Sequence, residues 1–209
     1  IGTSQALLGL ENLMPEKPEH ASGDLPGKLD QVRATCLYVA TKLGDLLQEL
    51  TIVGGLVPSL LVDQGKITSV DDRHVGTHDL DVGLSVAIFD GERYQEISAR
   101  LREARFSPDV NDRGNPTRQR WKIDLIGNTK VTIDFLIPPS RDGDKPSEVR
   151  NIEGDFGAVI TPGLHLAFHD RERITLDGKT ILGEQARRDV WIAGPGAFVA
   201  LKALALRGR

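Results

Sequence analysis

The run Val131-Thr132-Ile133-Asp134-Phe135-Leu136-Ile137 is dominated by β-branched and aromatic residues and is stopped by Pro138-Pro139, so it reads as a strand with one carboxylate in its middle. An Asp there is costly to bury without a partner or a metal; a surface-facing Asp on an edge strand is the alternative. Trp121 to Ile126 is a second strand run, joined to the first by Gly127-Asn128-Thr129-Lys130, a hairpin signal. Asp124 competes with Asp134 for a chemical role but ranks lower, because Arg120 and Lys122 share its face and can pair with it at the surface.

A second acidic strand lies upstream. Asp79-Leu80-Asp81-Val82-Gly83-Leu84 alternates acid and apolar side chains at first, which puts both carboxylates on one face and Leu80 and Val82 on the other. Two adjacent carboxylates repel unless cations intervene, and hard divalent ions such as Mg²⁺ favour carboxylates together with phosphate oxygens. A solvated strand face is the plainer reading of an isolated Asp-x-Asp.

The remaining segments frame these strands. Apolar residues from Lys28 to Leu50 recur at helical steps (Leu29, Val32, Cys36, Ala40, Leu43, Leu47), predicting one amphipathic helix. Thr51-Ile52-Val53 predicts a short strand ending in Gly54-Gly55, and Leu56 to Val62 a helix with Pro58 in its first turn and Gly65 at its end. Glycines between a strand and a helix let a phosphate approach the backbone, although such a pair is commonly a structural turn. Residues 66–77 read as a polar loop, 92–105 as a helix, 156–168 and 173–182 as strands with Gly178 at a turn.

Ala197–Arg209 predicts a helix with Phe198, Leu201, Ala205 and Leu206 on its apolar side and Lys202 inside that stripe, a lysine that either snorkels to solvent or points at phosphate. The Pro- and Gly-rich residues 1–27 read as a surface arm, and the unfinished helical pattern at Arg209 predicts that more chain follows.

Hydrophobic residues make up 39% and charged residues 27% of the 209, which excludes a disordered or fibrous chain. The single cysteine, Cys36, excludes an internal disulfide and a multi-cysteine zinc site, and with no apolar stretch long enough to span a bilayer the expectation is a cytoplasmic protein with no membrane partner. The net charge of −4 argues against a wholesale nucleic-acid coat, yet residues 1–98 carry −8 and residues 99–209 carry +4. Arg118, Arg120 and Lys122 beside Trp121 could meet RNA or form a solvated face. His74 and His78, like His165 and His169, are four apart, a ligand spacing only on a helix; both stretches read as loop or strand.

Three strings, Ile52-Val53-Gly54-Gly55, Thr77-His78-Asp79-Leu80-Asp81 and Val131-Thr132-Ile133-Asp134, in this order resemble the nucleotidyltransferase fold of the DNA polymerase β superfamily and, within it, the AbiEii/MenT group of bacterial toxins. Pro195 followed by Val199-Ala200-Leu201-Lys202-Ala203-Leu204 and Arg207 is similar to that group's lysine-bearing helix. The resemblance covers about residues 50–209. It implies a mixed α+β fold, a small twisted sheet flanked by helices, with a nucleotidyltransferase domain over 28–193 and a C-terminal helical part beginning at 194–209. Gly54-Gly55 departs from the Gly-Ser of many members, and residues 66–77 lengthen the gap to Asp79.

The implied chemistry is transfer of a nucleotidyl group from a nucleoside triphosphate to a hydroxyl. Asp79, Asp81 and Asp134 would be the Mg²⁺ or Mn²⁺ ligands and catalytic acids, with Lys202 on phosphate and Gly54, Gly55 and Thr77 in nucleotide binding. The implied acceptor is RNA, plausibly a tRNA 3′ end, with a cognate antitoxin as partner. A small-molecule nucleotidyltransferase of the antibiotic-modifying kind and a non-catalytic binding module of the same fold are the alternatives.

Overall fold

The computed structural model describes residues 26–63, 66–67, 77–85, 91–125 and 129–207. Most of the arm at 1–27, the Gly65 stop, most of the loop at 66–77 with Arg73 and His74, and the Gly127-Asn128 turn lie outside the described residues.

Helix α1 (Pro26–Leu43) carries the first apolar stripe, but it ends at Leu43 and not at Leu50. Gly44 has φ +57°, the left-handed conformation that terminates helices, and the Arg100 guanidinium donates to the Leu43 carbonyl exposed there. A 3₁₀ segment, Gly44–Glu49, continues the burial through Leu46 and Leu47, so the periodicity of the stripe outlives the helix.

Strand β1 (Leu50–Val53) follows, then a 3₁₀ turn at Gly54–Leu56 and the short helix α2 (Val57–Leu61) with Pro58 near its start. Strand β2 is Asp79–Leu84 and helix α3 is Gly91–Glu103.

Strands β3 (Ser107–Val110), β4 (Pro116–Leu125) and β5 (Thr129–Ile137) form an antiparallel meander. Beyond it come β6 (Val149–Glu153), β7 (Phe156–Ile160), the single helical turn α4 (Leu166–His169), β8 (Arg171–Lys179), β9 (Gln185–Ala193) and α5 (Pro195–Arg207).

Among the described residues nine strands make one mixed sheet in the order β3-β4-β5-β2-β1-β9-β8, with β7 pairing the end of β5 and β6 pairing β7. Pairings β2–β5, β1–β9 and β5–β7 are parallel and the others antiparallel.

Several sequence expectations are corrected. The stretch at 156–168 is a strand only to Ile160 and then turns, so His165 and His169 bracket one helical turn. Gly178 lies inside β8 opposite Ala186, and the reversal is made at Thr180–Glu184, where the Thr180 N–H donates to Glu184 at 2.7 Å and Gly183 has φ +86°. Strands β3 and β6 carry no apolar run, and the apolar residues of β9 are confined to its end at 190–193; charges along the outer parts of β8 and β9 pair across the strands, as when Arg173 and Thr175 of β8 both bond Asp189 of β9. Leu206 of α5 is 70% exposed, so it lies off the buried side of that helix.

The sheet has two unlike faces. Leu80, Val82, Trp121, Ile133 and Phe135 point to one of them and are fully buried beneath α1 and α3. Phe156 is the hub there, with ring centroids 4.9 Å from Phe135, 5.8 Å from Tyr94 and 6.1 Å from Trp121. Burying each such side chain stabilises by roughly 1.5–3 kcal/mol. Cys36 belongs to this core, 1% exposed, its thiol pushed up to about 12 by burial. Among the described residues the other face is covered at one end, where Val53, Val57, Leu164, Ala167, Ala193 and Ala197 join α4 and α5 to β1 and β9. No helix among the described residues is long and apolar enough to cross a membrane.

The β5–β6 connection is tied by Asp144. Its carboxylate accepts the N–H groups of Ser140 (2.8 Å) and Arg141 (2.9 Å) and the buried Arg150 guanidinium, which also donates to the Ser140 hydroxyl. These bonds hold the Asp144 carboxyl down at about 2. A carboxyl lowered on folding stabilises above its unfolded pKa of about 3.9, and that contribution fades as pH falls through the folded value. Asp144→Asn is therefore expected to lower Tm at pH 7, with the difference from wild type shrinking as pH falls from about 4 toward about 2 in thermal melts followed by circular dichroism.

Candidate functional site

The parallel register of β2 and β5 sets Asp79 beside Thr132 and Asp81 beside Asp134. On its other side β5 pairs Arg120 with Asp134, and β1 pairs Val53 with Asp81. One row across four strands therefore reads Arg120, Asp134, Asp81, Val53. Because Ile133, Phe135, Leu80 and Val82 fill the core on the opposite face, all three carboxylates stand on the face that α4 and α5 leave partly open. Asp134 is thus neither in the core nor on an edge strand.

The carboxylates differ in what they touch. Asp134 is held by a two-pronged bond from Arg120, Nε to Oδ1 at 2.7 Å and Nη2 to Oδ2 at 2.5 Å, and its side chain is 15% exposed. The same Nη2 lies 3.7 Å from Asp79 Oδ2, while Thr132 donates its hydroxyl to Asp79 Oδ1. Lys122 pairs with Asp124 at 3.1 Å, as the sequence leads one to expect, but Arg120 does not: it turns to Asp134.

Asp81 makes no ion pair among the described residues. Burial first, then the charges of Asp134 and Asp79, push its carboxyl up to about 7, against the opposing pull of the Lys202 ammonium and the Gly55 N–H.

The glycine pair is explained by these neighbours. Gly54 has φ +72°, and a Cβ there would overlap the Asp81 carboxylate. A Cβ on Gly55 would lie 2.7 Å from Cβ of Thr77. Thr77 in turn fixes the entry to β2: its hydroxyl donates to the Asp79 carbonyl at 3.1 Å and accepts the Asp79 N–H at 3.4 Å. In this arrangement the Gly55 N–H serves Asp81, so the pair first makes room for the acid strand.

Lys202 comes from α5 across a cavity of about 140 Å³ that it lines with Gly54, Asp81, Leu136, Thr161 and Phe198. Its ammonium lies 5.7 Å from the Phe198 ring centroid. The helix is set in place by a residue that sequence periodicity does not single out. Asp170 accepts the Ala197 N–H at 2.6 Å in the first turn of α5, and a Cβ on Gly194 would overlap its carboxylate. Thr132 and Asp170 are the site-building residues the sequence reading passed over. The first lies two residues before Asp134, hence on the same face; the second has no sequence signal, because it caps a helix it does not precede directly.

His78 bonds Lys28 at 2.6 Å. Two roomier hollows lie along α1, one of about 380 Å³ whose lining includes Asp30, Arg33, Asp177 and Lys179, and one of about 560 Å³ whose lining includes Asp30, Arg33 and Asp63.

Three carboxylates with no soft ligand form a donor set suited in kind to a hard divalent cation, and Gly54, with no Cβ, leaves the Asp81 carboxylate its place against the backbone. As the side chains stand, no group of three or more His, Cys, Asp or Glu among the described residues closes around an ion: Asp134 is engaged by Arg120 and Asp79 by Thr132. Comparison with protein-family models, with curated proteins and with solved structures finds no match.

Two changes test this construction. Gly54→Ala combines a disfavoured φ with overlap on Asp81 and is expected to lower unfolding free energy in urea by about 1–3 kcal/mol. Asp170→Ala removes the α5 cap and should cost about 0.5–2 kcal/mol in the same measurement.

Proposed function

We propose that the chain is a divalent-metal-dependent nucleotidyltransferase that moves a nucleoside monophosphate from a nucleoside triphosphate to a hydroxyl. The observation that carries this reading is the side-by-side register of Asp81 and Asp134, with Asp79 on the same face and Lys202 across a shared cavity. Such a set combines cation-binding carboxylates with a lysine ammonium on the same cavity, the charges that a triphosphate and its developing pyrophosphate need.

Asp79, Asp81 and Asp134 would hold Mg²⁺ or Mn²⁺, which supplies positive charge to the phosphate oxygens and to the attacking hydroxyl. Lys202 would neutralise phosphate from the α5 side, with the apolar wall of Phe198 and Leu201 excluding water. Gly54, Gly55 and Thr77 would flank the bound triphosphate, the glycines keeping the backbone close to the Asp81 carboxylate. Asp134, next to β4 in the row, would receive the proton of the acceptor hydroxyl once its bonds to Arg120 are released.

RNA as acceptor, a tRNA 3′ end in particular, follows from the AbiEii/MenT resemblance; of the basic residues read as an RNA contact, Arg118 is exposed on β4, whereas Arg120 and Lys122 are engaged by Asp134 and Asp124. An antitoxin partner belongs to the same reading through the AbiEii/MenT resemblance alone.

The test is incubation of the full chain with labelled nucleoside triphosphates, Mg²⁺ and either total tRNA or aminoglycosides. Transfer of label to tRNA is expected. Asp81→Asn and Lys202→Ala should each reduce transfer by about 100-fold or more while leaving the circular dichroism spectrum unchanged. Label confined to the small-molecule pool rejects RNA as acceptor, and absence of both transfer and metal-dependent nucleotide binding rejects the enzymatic reading.

A further inference from the structure

The acid face already holds a cation. Arg120 reaches Asp134 with two nitrogens and has one of them 3.7 Å from Asp79, so a single guanidinium spans two of the three carboxylates. The position is built: Arg120 stands opposite Asp134 in the β4–β5 register, and its strand is pinned on the core side by fully buried Trp121. The Thr117 hydroxyl donates to the Arg120 carbonyl at 3.0 Å and holds the backbone there. Lys122, the next residue on this face of β4, is drawn away to Asp124 and leaves the acids to Arg120.

We propose that Arg120 is a built-in counter-cation of the acid site, which a divalent ion must displace from Asp134 in order to bind. The proposal rests on reading the three carboxylates as the cation site of the nucleotidyltransferase. Its physical basis is that both oxygens of Asp134 accept from the guanidinium, which fills the lone pairs facing it and sets a positive charge beside any incoming ion, so the guanidinium and the ion compete for Asp134. Without the guanidinium the row would place Asp134 and Asp81 side by side, a like-charge pair that weakens the metal-free fold. Arg120 thus keeps the empty site folded and sets a threshold for its loading.

The test is Mn²⁺ binding by isothermal titration and by electron paramagnetic resonance, on wild type and Arg120→Gln, with Tm measured in EDTA. Arg120→Gln is expected to melt lower in EDTA, to regain stability with Mn²⁺, and to bind Mn²⁺ about tenfold more tightly, the factor equivalent to about 1.4 kcal/mol of lost competition.

A readout on the unaltered protein covers the case of a variant that fails to fold. The Arg120 Nε–H, assigned by its loss in Arg120→Lys, should be protected from solvent exchange in EDTA and lose that protection with saturating Mg²⁺. Unchanged or weaker Mn²⁺ affinity in Arg120→Gln, or an Nε–H that stays protected when the metal is bound, overturns the proposal. Absence of Mn²⁺ binding in both proteins overturns it together with the metal-dependent function, whereas intact exchange of Arg120 for metal without any nucleotidyl transfer overturns the function alone.

Discussion

Parallel pairing of β2 with β5 is the constraint on which the site depends. A shift of one residue would turn Asp134 into the aromatic core and bring Phe135 out beside Asp81, and the aromatic cluster around Phe156 forbids that slip. The apolar face thus sets the register, and the register sets the spacing of the carboxylates. Repulsion among the acids is borne by the packing beneath them and relieved by one guanidinium and one ammonium, each from a different element.

This division of labour accounts for what was legible in the sequence. Asp79 and Asp81 could be assigned to one face because strand periodicity is local, and Leu80 and Val82 declare the other face. Asp134 could be picked out because an acid within a run of apolar residues contradicts its surroundings. That all three meet is a matter of strand order, which no local pattern states. Arg120 illustrates the same limit: its sequence neighbours suggested pairing with Asp124 on its own strand, and the antiparallel register gave it to Asp134 across the ladder.

The misread elements have similar causes. The stripe stays buried from Val32 to Leu50, with Leu29 partly so, yet Gly44 in a left-handed conformation changes the backbone from α-helix to 3₁₀ beneath it. The β9 strand hides behind Arg187, Arg188 and Asp189, because a strand whose outer part is solvated needs a partner more than a hydrophobic pattern. Asp170 could not be found from spacing, since its role arises only when the end of α4 meets the start of α5.

Gly54 ties the backbone to the acid strand in a way that limits how the chain can vary. Any side chain at that position would occupy the volume of the Asp81 carboxylate, so the two positions cannot be altered independently. Shortening the side chain at 81 would clear the space but not the left-handed backbone at 54, and it would remove the central member of the acidic row. Glycine at 54 is therefore held twice over, by the fold of its own backbone and by the acid beside it.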